Sequence, residues 1–410
     1  MADSGKSVAD LKAATLRLLE YCRANDWAGY DPYDALNSAL FSRLPILNSR
    51  IPRLVLTQAL KRAPFNVRPL LAVPKTQNSK GLALFLNSFI KLSKLGLLAQ
   101  EDRDPIKTMA DKIAALRSSD TRCWSWGYSF PWQTRTIVVP RGTPNLVCTT
   151  FVASALLDAY EACRDARYLE MAASAADYIV RELLWTEGDS VVSLHYPLPT
   201  SRSKIHNANF LGAALLCRVA KLTGQDRYVE AALKVARYSA GRQGEDGSWV
   251  YGELPKQAWI DNFHTGYNLC GLRSICRDAR TSEFEPNIRR GFEFYRTHFY
   301  REDGAPRYFH NNTYPIDIHS VAQSIITPIV FKDLHPGNSK LAWSVFGWAM
   351  TKMWDENGYF YYRVLRFLKI RISYMRWSQA WMLLALSTLL EDAESAASQS
   401  AADKKVIATR

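Results

Sequence analysis

The sequence predicts an all-α protein, an α/α toroid of six helical hairpins with short strands in the loops at one end. Two observations predict it. The first is a glycine marker that recurs before a polar loop and a helix, at Gly127, Gly188, Gly247, Gly304 and Gly358, with spacings of 61, 59, 57 and 54 residues. The second is an alternation of helix types. Amphipathic segments with apolar residues at i, i+3 and i+4, such as "DRYVEAALKVARYSAGR" and "FEPNIRRGFEFYRTHFY", precede the markers. More apolar segments, such as "NFLGAALLCRVAKL", "FHTGYNLCGLRSIC" and "SQAWMLLALSTLL", follow the loops. An outer amphipathic helix paired with an inner apolar one is a two-layer hairpin, and stacking hairpins in a ring buries each apolar face on its neighbours.

The elements follow in order. "LKAATLRLLEYCRANDW" is the first outer helix, and "GYDPYDALNSALF" leads toward its inner partner. Gly29 to Gly127 is 98 residues, well over one period, and the surplus is assigned to a basic helical insertion at about residues 45–80. The remaining hairpins follow the markers, giving one domain over residues 1–390. The tail 391–410, "EDAESAASQSAADKKVIATR", is small and polar and reads as flexible.

Composition narrows the function. The first twenty residues carry charges throughout and lack the apolar core of a signal peptide, and no apolar run reaches membrane-spanning length. None of the seven cysteines forms a C-x-x-C pair. Reduced thiols and a cytoplasmic location, at the inner membrane face or free, are the expectation. The net charge of +13 is unevenly placed. No acidic residue lies between Asp34 and Glu101, an interval with ten basic ones, nor between Glu356 and Glu391, an interval with Arg363, Arg366, Lys369, Arg371 and Arg376. Such segregation suits an anionic partner, either an acidic saccharide or an anionic membrane face. Nucleic acid is not expected, because no recognition motif accompanies the charge.

Six hairpins with aromatic-rich glycine turns resemble the six-hairpin glycosidase superfamily. The motifs "GYDPYDALNS", "GYSFPWQTR", "TPNLVCTTF" and "RWSQAWMLLAL" look closer still to uncharacterised bacterial proteins of surface-polysaccharide gene clusters. The resemblance spans nearly the whole chain. It implies a carbohydrate-active enzyme and carries over no catalytic residue, since one fold hosts many chemistries.

The candidate site comes from the residues themselves. In the predicted toroid, every loop before an inner helix lies at one end, where helix N-termini open and favour anions. Residues converging there are Asp31, Tyr33 and Asp34; Arg135 and Asn145; His206 and Asn209; Asp261 and His264 of "WIDNFHTGY"; Asp317 and His319; and Arg376 and Gln379. Trp126, Trp249 and Trp259 offer flat faces for sugar rings. Asp261, His264, Asp317 and His319 are the expected catalytic set and the others the expected substrate contacts. Each Asp also suits a helix N-cap. No local metal-binding spacing occurs, so neither metal nor other cofactor is expected.

Glycosidic bond hydrolysis is the first expectation, with elimination or epimerisation at a uronate as the alternative. Glycoside hydrolysis needs two carboxyl groups flanking the bond, which Asp261 and Asp317 could supply, and the superfamily favours it. Elimination or epimerisation at a uronate needs a base near neutrality and cations for the developing negative charge; the histidines and Arg135 or Arg376 suit that. A non-catalytic glycan scaffold and an isoprenoid-cyclase-like toroid are the readings from other classes, the latter weakened by the lack of a D-x-D-D or D-D-x-x-D run.

Overall fold

In the computed structural model, residues 6–43, 49–98, 104–119, 121–134 and 137–408 are described, the last with side chains to residue 398. In chain order the helices are α1 (Val8–Ala24), α2 (Ala39–Ser42), α3 (Arg50–Arg62), α4 (Ser79–Lys94), α5 (Pro105–Ala115), α6 (Leu146–Cys163) and α7 (Ala166–Tyr178). They continue as α8 (His206–Thr223), α9 (Arg227–Ala240), α10 (Asn262–Asp278), α11 (Glu285–His298), α12 (Ile318–Val330), α13 (Asn338–Lys352) and α14 (Trp381–Ala408). Short antiparallel strands lie in the loops: β1 (Trp132–Gln133) pairs with β2 (Val138–Val139), and β3 (Leu184–Glu187) with β4 (Val191–Leu194). β6 (Arg363–Val364) sits between β5 (Ile316–Asp317) and β7 (Lys369–Ile370).

The ring closes. Helices α4, α6, α8, α10, α12 and α14 each pack on the next, and α14 returns to α4. Around them α5, α7, α9, α11 and α13 form the outer layer, and α1 packs on α14. The outer helices bury one stripe: in α9, Tyr228, Ala232, Val235, Ala236 and Ser239 face inward. The inner helices are buried over most of their surface because they have neighbours on several sides. Apolar residues from Leu11 to Leu390 join in one continuous core.

The glycine markers have a backbone cause. Gly247 holds φ +88, and a Cβ there would also meet Arg290 O at 2.4 Å. Gly127 has an ordinary φ, but a Cβ would lie 2.1 Å from Thr143 O, so the loop and the approach to α6 can close only without a side chain.

Three sequence expectations shift. The inner helix of the first hairpin is α4, not the "DALNSALF" segment, which forms a 3₁₀ turn at Asp34–Asn37 and the single turn α2. The insertion, which includes α3, therefore lies inside this hairpin. Residues 45–48 of it fall outside the described residues. The tail reads as flexible in sequence, yet α14 runs on to Ala408, because Ala, Glu, Ser and Lys without Gly or Pro let a helix propagate. Finally, α6 has 18 residues and a mean hydropathy of 1.4, enough by length and composition to cross a bilayer. Its apolarity serves the core, since it is the inner helix held between α4 and α8.

Candidate functional site

The inner helices begin at one end of the ring, and their caps set the site. Asn78 Oδ1 accepts Lys80 N at 3.1 Å, Asn145 Oδ1 accepts Cys148 N at 2.9 Å, Asp261 Oδ1 accepts His264 N at 3.0 Å and Asp317 Oδ1 accepts His319 N at 3.0 Å. Each acidic cap does more than cap.

Asp261 Oδ2 accepts the indole N–H of Trp259 at 3.0 Å and the Nδ1–H of His264 at 2.7 Å. A carboxylate can only accept here, so the proton of a neutral His264 sits on Nδ1 and Nε2 carries the lone pair. The Asp261 side chain is 1% exposed and that of His264 is 22% exposed. The imidazole is thus partly exposed and its orienting carboxylate covered. Tyr251 stacks on Trp259 at 4.6 Å and packs against His264 at 4.6 Å.

Asp317 looks equivalent in sequence but is fully occupied. It accepts Arg363 Nε at 2.5 Å, the Trp377 indole at 2.8 Å and its own cap bond, with no exposed surface. It cannot serve as a free acid. His319 is likewise buried, stacked between Phe263 at 4.4 Å and Trp381 at 4.5 Å. Its Nε2 lies 2.5 Å from the Tyr267 hydroxyl, and Nδ1 has no hydrogen-bond partner among the described residues. Burial, then the nearby Lys80, Arg376 and His264, hold His319 well below the ordinary histidine range, so it stays neutral. The two histidines do share a locale, since both rings contact Phe263 and Tyr267.

Tyr33 and Arg376 join this locale. Tyr33 meets Trp377 edge-on at 5.4 Å and accepts Lys61 Nζ at 2.7 Å. The Arg376 guanidinium lies 5.3 Å from the Trp377 ring and 5.0 Å from that of Tyr128, and it forks onto Asp31 at 2.7 and 2.8 Å. Asp34 is one step removed, bound to Arg68 at 2.6 Å, and burial pushes it up to about 6. Arg68 also donates to Tyr374 Oη and to Asp31 O.

The other expected substrate contacts are structural. Trp126 donates to Ile113 O and Trp249 to Ser239 O, both buried. His206 meets Ser239 Oγ at 3.2 Å without exposure. Asn209 ties α8 to Ser193, Leu194 and Ser239, and Gln379 clamps both backbone groups of Phe360. Asn145 is a buried cap. Arg135 lies outside the described residues.

Sequence reasoning missed Lys80, the second residue of α4. Its ammonium lies 4.0 Å from the ring centroid of Phe151, 5.4 Å from Trp381 and 5.5 Å from Tyr267, in an aromatic box shared with His319. It makes no ion pair among the described residues. Burial and Arg376 hold it well below the ordinary lysine value. Counting from helix caps instead of glycines would have found it: Asn78, Asn145, Ile205, Asp261, Asp317 and Tyr374 precede the inner segments. Also missed were Tyr128 and Tyr196. With Tyr33, Tyr251 and Tyr308 they ring the mouth half-buried, and Tyr128, Tyr196, Tyr251 and Tyr308 are raised by burial and by one another or Tyr33, so these four remain hydroxyl donors. Among the described residues no three His, Cys, Asp or Glu side chains gather as metal ligands.

The arrangement offers a part-exposed imidazole, a ring of phenols and the buried Lys80 and Arg376 side chains beside them. It does not offer two free carboxyls, because Asp31, Asp34, Asp261 and Asp317 are each bound by Arg, His or Trp side chains.

No family model matches the chain, and no curated protein does. Solved structures match. Cellobiose 2-epimerase from Bacillus thermoamylovorans superimposes with a TM-score of 0.60 at 9% identity, over 78% of this chain and 90% of that one. An unsaturated glucuronyl hydrolase specific for heparin gives 0.59 at 12% identity, over 94% and 98%. A GH76 alpha-mannanase of Bacteroides thetaiotaomicron gives 0.58 at 13% identity, over 77% and 85%. Hydrolases and an epimerase alike are built this way, and the chain has the six-hairpin α/α toroid fold of these glycosidase-like proteins.

Proposed function

We propose that the chain is a saccharide-active enzyme that moves a proton at a carbon of an anionic sugar, an epimerase- or lyase-type reaction with His264 as base. The observation that carries this reading is the Asp261–His264 pair, whose imidazole is open while every central carboxylate is bound. His264 Nε2 would take a proton from a carbon next to a carbonyl or carboxylate. The negative charge that develops on oxygen would fall near Lys80 and Arg376 and among tyrosine hydroxyls. Reprotonation on the opposite face gives epimerisation; loss of a leaving group at the next carbon gives elimination. Hydrolysis fits less well, since it needs an unbound pair of acids. The fold's use by saccharide enzymes, the Lys80 and Arg376 side chains and the tyrosine ring support the substrate class. We place the reaction in the cytoplasm, on a saccharide of surface-polysaccharide metabolism.

Incubation with acidic oligosaccharides in D₂O tests the reading. Deuterium at carbon without cleavage marks epimerisation, and an unsaturated product absorbing in the ultraviolet marks elimination. Either should vanish in His264→Ala. New reducing ends without carbon-bound deuterium would overturn the proposal in favour of hydrolysis.

A further inference from the structure

The two acid-free stretches come together at the mouth. Arg68 of the first donates to Tyr374 Oη of the second at 2.8 Å. A cavity of about 420 Å³ lies between them, walled by Phe65 and Lys75 on one side and Tyr359 and Arg371 on the other. β6 pairs with β5, which leads directly into α12, and α3 packs on the Asp34–Asn37 turn and on β1. Both stretches therefore project from the end of the ring where the inner helices begin.

This end is also where apolar side chains stand in solvent. Eleven large hydrophobic residues are exposed among those described, and seven belong to the two stretches. On α3, Ile51 and Val55 lie one turn apart and are 73% and 62% exposed; Phe65 and Leu70 follow. The turn between β6 and β7 presents Phe367, 88% exposed, beside Leu368. Cations intersperse them: Arg62, Lys75, Arg366 and Arg371 are exposed and form no ion pair among the described residues. Apolar tips set in unpaired cations, without a carboxylate in either stretch, match a bilayer interface with anionic headgroups. A second copy of the chain matches poorly, because a two-fold contact would set this cationic face against itself.

We propose that this face docks on an anionic lipid bilayer, with the β6–β7 turn and the outer side of α3 inserted shallowly and the mouth of the toroid turned to the membrane. The proposal stands apart from the reaction, and its test needs no turnover. The full chain is sedimented with vesicles of phosphatidylcholine alone and of phosphatidylcholine mixed with phosphatidylglycerol, across a salt series. Binding is expected only to the mixed vesicles and should weaken with salt. Arg366→Glu and Arg371→Glu should each lower it at least roughly fivefold, the effect of removing one basic residue from such a surface. Phe367→Ser with Leu368→Ser should weaken it further at high salt, and Ile51→Ser with Val55→Ser, on a separate element, should do the same. Circular dichroism confirms that each variant is folded. Equal binding to both vesicle types, no binding to either, or full binding by all folded variants would overturn the proposal. So would a concentration-dependent dimer that the Phe367 variant abolishes.

Discussion

Asp261 holds the backbone of His264 with one carboxylate oxygen and its imidazole with the other, at 3.0 and 2.7 Å. One residue therefore both caps the helix and orients the imidazole. Asp261→Asn keeps a capping oxygen, so the melting temperature should change little. The amide no longer fixes the Nδ1–H tautomer, and turnover should fall by about 10³–10⁴-fold, the loss seen when such an orienting carboxylate is neutralised. Nitrogen chemical shifts of His264 give an independent check. If Nδ1 remains the protonated nitrogen in the variant, the orienting role is wrong.

Asp317→Ala should behave differently. It strands the Arg363 guanidinium, 12% exposed, beside an empty place. The expected cost is about 3–5 kcal/mol of stability, as for any buried pair broken from one side. Denaturant titration measures it. A loss under about 1 kcal/mol with abolished activity would return Asp317 to the catalytic set.

Lys80→Met removes an ammonium that has no carboxylate partner while keeping its length. Stability should hold or rise, since a buried unpaired charge is costly. The Michaelis constant for an anionic saccharide should rise about tenfold or more, with a neutral analogue unaffected. Equal change for both substrates would make Lys80 a packing residue.

The buried histidines should withdraw stability as pH falls from about 6.5 toward 4, while Asp34, raised to about 6, contributes in the opposite direction by taking up its proton first in the folded state. Burial depresses His206 to about 4 and pushes His319 well below its ordinary value. At these two histidines the unfolded chain binds protons that the folded chain refuses, so their titration favours unfolding in acid. His206 alone accounts for up to about 3 kcal/mol. His206→Asn should remove its share of this dependence, leaving the variant relatively more stable in acid than the parent. An unchanged slope would mean that His206 titrates normally when folded.

The fold was legible because backbone requirements repeat. Glycine is forced at Gly247 by positive φ and at Gly127 by contact, and both leave a countable trace. The first hairpin broke the count, since its insertion carries no such mark and hides α4. The site was legible only in part. "DNFH" and "DIH" look alike, yet His264 is the third residue of α10 and His319 the second of α12. One residue turns a helix by about 100°, consistent with one imidazole reaching the mouth and the other lying against the aromatic floor. Nor could spacing reveal that Arg363, 46 residues beyond Asp317, closes over it. Trp126 and Trp249 carry the same aromatic signal as Trp259; only their indole partners distinguish wall from core.

The Arg376–Asp31 fork joins positions 345 residues apart, the first hairpin to the sixth. During synthesis the earlier hairpins can stack as they emerge from the ribosome, but the seam that completes the ring must wait for the last one. Until then α4 has only one of its two inner-layer neighbours, and Lys80 lacks Trp381. A nascent chain thus exposes the apolar flank of α4 for nearly its whole period of elongation. That flank is the surface on which a chaperone would act, and on which a truncated product would aggregate.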